Sequence, residues 1–107
     1  MTGPRTPCAT FGRWLRQERW VARFTEHGRT GAYLRVVVPG PVAAGDAVAV
    51  VRRPGHGVSV SRWFTAQDPA DARTLLAHAA DAAHPGDGGW RMADFLREYV
   101  ERVAARA

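Results

Sequence analysis

Residues 28–60 read Gly28-Arg29-Thr30-Gly31-Ala32-Tyr33-Leu34-Arg35-Val36-Val37-Val38-Pro39-Gly40-Pro41-Val42-Ala43-Ala44-Gly45-Asp46-Ala47-Val48-Ala49-Val50-Val51-Arg52-Arg53-Pro54-Gly55-His56-Gly57-Val58-Ser59-Val60. It is the only long β-rich run in the chain. Two valine-rich segments, 33–38 and 48–51, are separated by Pro39-Gly40-Pro41 and Gly45-Asp46, residues that reverse a strand. The pattern predicts a β-meander over 29–61. At its turn, Gly45 is expected to take positive φ, and the Asp46 carboxylate to accept a local backbone N–H. Segment 33–38 does not alternate cleanly, which fits a strand that is largely buried or bulged.

Working outward, Pro4 and Pro7 hold the residues before them extended, so the N-terminal segment reads as a strand or arm ending at Cys8. Thr10 is a candidate cap for a short helix, with Phe11, Trp14 and Leu15 on one face. A further turn or two carries Trp20, Val21 and Phe24, and Gly28 is placed to stop it. Arg13, Arg16, Arg19 and Arg23 lie between these aromatics, either as a solvated face or as cations among base-stacking rings.

Beyond Ser61 the period becomes helical. Asp68 followed by Pro69 is a helix start. Leu75, Leu76, Ala79, Ala80 and Ala83 form a thin apolar stripe, ended by the Gly and Pro cluster over 85–89. Met92, Phe95, Leu96, Tyr99, Val100 and Val103 then repeat at helical spacing, with charged residues opposite. Arg97 with Glu101, and Glu98 with Arg102, add i, i+4 support. This last helix needs a covering surface, and the preceding helix is the expected one.

Composition narrows the function. A chain of 107 residues forms one core, and 46% hydrophobic with 23% charged residues is ordinary for a globular protein. No apolar run nears the roughly twenty residues that span a bilayer, and the N-terminus lacks a signal-peptide hydrophobic region, so a cytoplasmic location without membrane contact is expected. The net charge of +5 suggests nucleic acid. However, all fifteen basic residues are Arg, and Lys, Asn and Ile are missing, as codon bias in a GC-rich genome would produce, so nucleic-acid binding is not favoured. One cysteine makes no internal disulfide, and His27, His56, His78 and His84 lack zinc-ligand spacing.

The ordered set Pro4-Arg5-Thr6-Pro7-Cys8, then Gly28 to Val36, then Gly40 to Asp46, then Arg52 to Val60, resembles the C-terminal half of a MOSC domain. That module is named from the C-terminal domain of molybdenum cofactor sulfurase, and the likeness is closest to small stand-alone bacterial members. It covers roughly residues 3–62, with weaker agreement in the helical tail. It implies an α+β fold in which 1–62 form a partial MOSC-like β-barrel with short N-terminal helices. Residues 63–107 are then a helical extension packed on it as a C-terminal pair.

The resemblance also implies chemistry. The cysteine of the matching segment carries or ligates sulfur or molybdenum at the molybdopterin cofactor, and Cys8 falls on it. A thiolate is a soft ligand suited to a thiophilic metal, and Arg5 nearby would favour the anion. Arg5, Arg29 and Arg35 are candidates for the cofactor's phosphate and pterin groups, since guanidinium binds phosphate through paired hydrogen bonds. Salt bridges or outward positions would equally explain an Arg in a valine strand. His56, on a glycine-flanked turn, is either a proton-transfer group or a surface histidine. In intact relatives the implied reactions are reduction of N-hydroxylated compounds, an oxidoreductase activity, or delivery of sulfur. A whole MOSC domain has a substantial N-terminal half that closes the barrel, whereas this sequence begins almost on the cysteine segment. Half the pocket is thus expected to be missing, leaving strand edges that favour a second copy or a protein partner. The alternative function is a non-catalytic interaction or dimerisation domain.

Overall fold

The computed structural model describes residues 2–51, 53–81 and 91–106. Strand β1 (Gly3–Arg5) pairs antiparallel with β2 (Gly31–Tyr33), in the register Gly3↔Tyr33, Pro4↔Ala32 and Arg5↔Gly31. The extended N-terminal segment set by its prolines is therefore a strand. It is anchored at both ends, with Thr2 N–H donating to Tyr33 O at 2.8 Å and the Thr30 hydroxyl donating to Arg5 O.

Helix α1 (Ala9–Leu15) starts immediately after Cys8, which is the N-cap. Thr10, the expected cap, lies inside the helix. The backbone at Cys8 is extended (φ −135°, ψ 168°), the usual conformation of an N-cap, so the turn begins one residue after the thiol. Helix α2 (Trp20–His27) follows a tight corner and ends at Gly28, in the left-handed region at φ 73° as expected. Phe11 packs edge to face on both Trp20 and Phe24 across that corner, and Trp20 meets Phe24 at a tilt, with centroids 5.5–6.0 Å apart. Gly12 admits the close crossing, since a Cβ there would sit 3.2 Å from Trp20 Cβ. Trp14, expected on the same apolar face, is instead 85% exposed.

The meander is not formed. After Tyr33, no strand occurs among the described residues, and Leu34, Val36, Val37, Val38, Val42, Val48, Val50 and Val51 are exposed. The turn between the two valine segments does form: Gly45 has φ 92°, Asp46 N–H donates to Ala43 O at 3.2 Å, and Ala43 N–H donates to the Asp46 carboxylate at 2.8 Å. Turn chemistry is local and needs no partner, whereas a strand requires a neighbour to take its backbone hydrogen bonds. The architecture is thus α+β, with five helices and one two-stranded antiparallel sheet among the described residues, and not a closed barrel.

Helix α3 (Val60–Ala66) is capped by the Ser59 hydroxyl, which accepts from Arg62 N–H at 3.1 Å. Helix α4 (Pro69–Asp81) starts as the Asp-Pro pair predicts, with the Asp68 carboxylate accepting from Ala70 N–H at 2.7 Å. Helix α5 (Asp94–Ala104) packs on α4 as expected. Val58, Trp63, Ala72, Leu75, Met92, Leu96, Val100 and Val103 form the core. Phe95, expected on the buried stripe, is exposed and meets Tyr33 of β2 edge on. Leu76 and Ala79 pack against the core, while Ala83 and the 85–89 cluster lie outside the described residues. The buried Asp71 carboxylate is held by both arms of Arg62, at 2.6 and 2.8 Å. Among the described residues no helix is long and apolar enough to cross a membrane.

Candidate functional site

Cys8 lies where the strand-forming segment turns into α1, and its thiol is free and exposed. It lines a groove of about 330 Å³ together with Arg5, Thr6, Pro7, Phe11, Phe24 and Gly31. Three local decisions build this groove. The prolines extend 4–7, the helix start projects Phe11 beside the thiol, and β2 brings Gly31 opposite Arg5.

The Cys8 pKa is lowered. The backbone N–H of Phe11 is the main cause, followed by that of Thr10, both on the first turn of α1, with the Thr10 hydroxyl and then the Arg5 charge adding less; desolvation opposes them. Sequence reasoning assigned this effect to Arg5, which contributes least. The larger contribution follows from Cys8 being the N-cap, a position that Thr10 concealed because threonine is ordinarily the better cap.

The Arg5 guanidinium stacks over the Tyr33 ring at 5.7 Å and donates to Thr6 O at 3.4 Å. The other sequence-predicted residues lie elsewhere. Arg35 borders a second groove with Thr2, Tyr33, Leu34, Arg91, Met92, Ala93, Asp94 and Phe95. Arg29 is exposed between Gly28 and Thr30 and lines neither groove. His56 packs edge to face on His78 of α4, with centroids 5.3 Å apart, and its Nδ1 accepts from Val58 N–H at 3.1 Å. Its pKa is lowered by desolvation and secondarily by the charge of His78. The fold therefore brings together Cys8 and Arg5, not all five candidates. The groove residues that sequence reasoning missed are Phe11 and Phe24, read only as apolar faces of their helices.

Among the described residues no cluster of three His, Cys, Asp or Glu side chains could hold a metal ion. The groove supplies one soft sulfur and one guanidinium beside two aromatic rings. That set suits a single attachment to a metal whose remaining ligands come with its cofactor, and does not suit a metal held by protein alone.

The extended proline-flanked cysteine segment, the Gly-Ala-Tyr strand paired with it and the Gly-Asp turn all fall within residues 3–46. A family model for the MOSC domain, the family the sequence resembles, matches residues 1–49, a little under half of the chain. The matched residues include Cys8, Arg5, Arg29 and Arg35 and stop short of His56. No curated protein and no solved structure matches the chain.

Proposed function

We propose that the chain is a molybdenum-cofactor-binding module, with Cys8 as its ligand to molybdenum or to transferable sulfur and Arg5 as the cation for the cofactor's phosphate. MOSC domains are associated with that cofactor, and the family match covers both residues. The observation that carries the reading is an exposed thiol of lowered pKa, in a groove that also holds Arg5. The cofactor would supply redox or sulfur-transfer chemistry. The first turn of α1 favours the Cys8 thiolate and leaves it available, Phe11 and Phe24 wall the groove, and Arg5 offers paired donors to a phosphate. Arg29, Arg35 and His56, standing outside the groove, are assigned no direct contact with the group.

The test is metal content. Protein purified from cells that make the cofactor is expected to carry molybdenum, with Cys8→Ser losing at least about tenfold of it, equivalent to about 1.4 kcal/mol of affinity. Equal molybdenum in both proteins, or none in either, overturns the proposal. A second reading, an interaction module without chemistry of its own, is favoured by the exposed aliphatic side chains of 34–51.

A further inference from the structure

Among the described residues, 34–51 are the least self-satisfied. Eight of their aliphatic side chains, Leu34 and Val36 through Val51, are 64–97% exposed. Their backbone is equally unpaired. Among the described residues, the hydrogen bonds within this segment are those of the Ala43–Asp46 turn, and the limbs 34–38 and 48–51 make no ladder with each other or with β2. The segment is an arm with a formed turn, continuous with β2 and built of β-branched residues that suit a strand.

The exposed surface is too large for a finished monomer. The chain exposes 8313 Å², whereas a compact monomer of this mass exposes roughly 5,900 Å². Its radius of gyration is 15.8 Å, against roughly 13 Å for a compact domain of this length. The eight aliphatic residues alone present roughly 1,000 Å² per chain, more than the roughly 800 Å² each partner hides in a stable complex. If two chains each hid the whole excess, roughly 4,800 Å² would be buried, within the range of obligate dimers.

Charge indicates which partner fits. The protein as a whole carries +5, but between residues 34 and 51 there is one cation, Arg35, and one anion, Asp46. A neutral apolar ribbon gains nothing from a strongly acidic or basic partner, and it meets a copy of itself without net repulsion. We propose that residues 34–51 are a dimerisation arm that completes its strand pairing with the same arm of a second copy of this chain, in a two-fold symmetric sheet. The proposal is independent of Cys8 and its cofactor.

Sedimentation of the full chain between about 1 and 100 μM is expected to give a discrete dimer, as a Kd at or below the micromolar range requires. Val37→Lys/Val50→Lys is expected to give a monomer that keeps the helical far-UV circular dichroism signal and loses only the strand contribution of the arms, because both positions are exposed in the single chain. Trp14→Glu, which changes an exposed aromatic outside the arm, should stay dimeric. A chemical readout accompanies these variants. In a Cys8→Ser background, Val42→Cys should be joined between chains by a short bismaleimide at micromolar protein, and Thr10→Cys should not. A wild type that stays monomeric, forms only polydisperse aggregate, or is captured in stoichiometric complex with another protein overturns the proposal. So does a double variant that remains dimeric, or a Trp14→Glu protein that dissociates.

Discussion

A thiol at the start of a helix loses its proton more readily than one in a loop, because the backbone N–H groups of the first turn favour its anion. For Cys8 those groups belong to Phe11 and Thr10, and Arg5 matters least. Alkylation by iodoacetamide should therefore show a pH midpoint below that of a small-molecule thiol, ordinarily about 8.5. Arg5→Gln should move that midpoint only slightly, and a Cys8 midpoint at or above the small-molecule value would contradict the geometry. His56 titrates with the opposite consequence for stability. Its pKa is lowered in the folded protein, chiefly by desolvation, and its Nδ1 must be unprotonated to accept from Val58 N–H. The folded state then binds fewer protons than the unfolded one near and below the ordinary value of 6.5. The stability contributed by this group is complete above that pH and is lost as pH falls toward the folded pKa. Thermal melts should show Tm falling on acidification below about 6.5, and His56→Gln should flatten that slope. An unchanged slope in the variant would remove His56 as its source.

At the scale of elements, several helix ends are made without glycine. Arg16 closes α1 with φ 53°, a left-handed conformation that a side chain disfavours and glycine accepts. Arg16→Gly should stabilise the protein by about 0.5–1 kcal/mol after the greater freedom of glycine in the unfolded chain is discounted. Arg16→Ala should not, and equal melting temperatures for the two variants would argue against strain at that corner. What was legible in the sequence follows the same division between local and partnered features. The Asp68-Pro69 start, the Gly28 stop, the Gly45-Asp46 turn and the buried stripe of Leu96, Val100 and Val103 are written in adjacent residues or in one helical period, and all are present. The valine strands were legible as strands only on the assumption of neighbours, and Val37 or Val50 cannot report from sequence whether a neighbour exists. At the site, the family likeness located Cys8. The proximity of Phe24 was hidden because it depends on the crossing of α1 and α2, which Gly12 permits. Phe95 and Trp14 were misread because helical period marks a stripe but not its edge.

For the molecule as a whole, the side chains gather at two centres of unequal depth. The first is the core shared by α3, α4 and α5, where Ala72, Val100 and Val103 are completely buried. The second is the aromatic corner of α1 and α2, where Trp20 and Phe24 are only half-buried and Gly12 is the one buried residue. The two meet through a narrow seam, in which the Ser61 hydroxyl donates to Gly28 O at 2.6 Å and Thr65 lies against Gly28. Free energy of opening follows buried apolar contact, so the corner should open without the core. Native-state hydrogen exchange is then expected to show the slowest amides between Leu96 and Val103, with those of α1 and α2 at least about tenfold less protected, a difference of about 1.4 kcal/mol. Ser61→Ala removes the seam hydrogen bond, which is worth about 1 kcal/mol, and should lower protection in α2 more than in α5. Because Cys8 is already exposed and its pKa is lowered chiefly by the first turn of α1, the same opening should return its pKa toward that of a free thiol. Alkylation of Cys8 near neutral pH in Ser61→Ala should therefore slow in mild urea before the Trp63 environment changes. A single transition, in which α1, α5, thiol reactivity and Trp63 fluorescence all respond together, would instead show that the corner and the core are one cooperative unit.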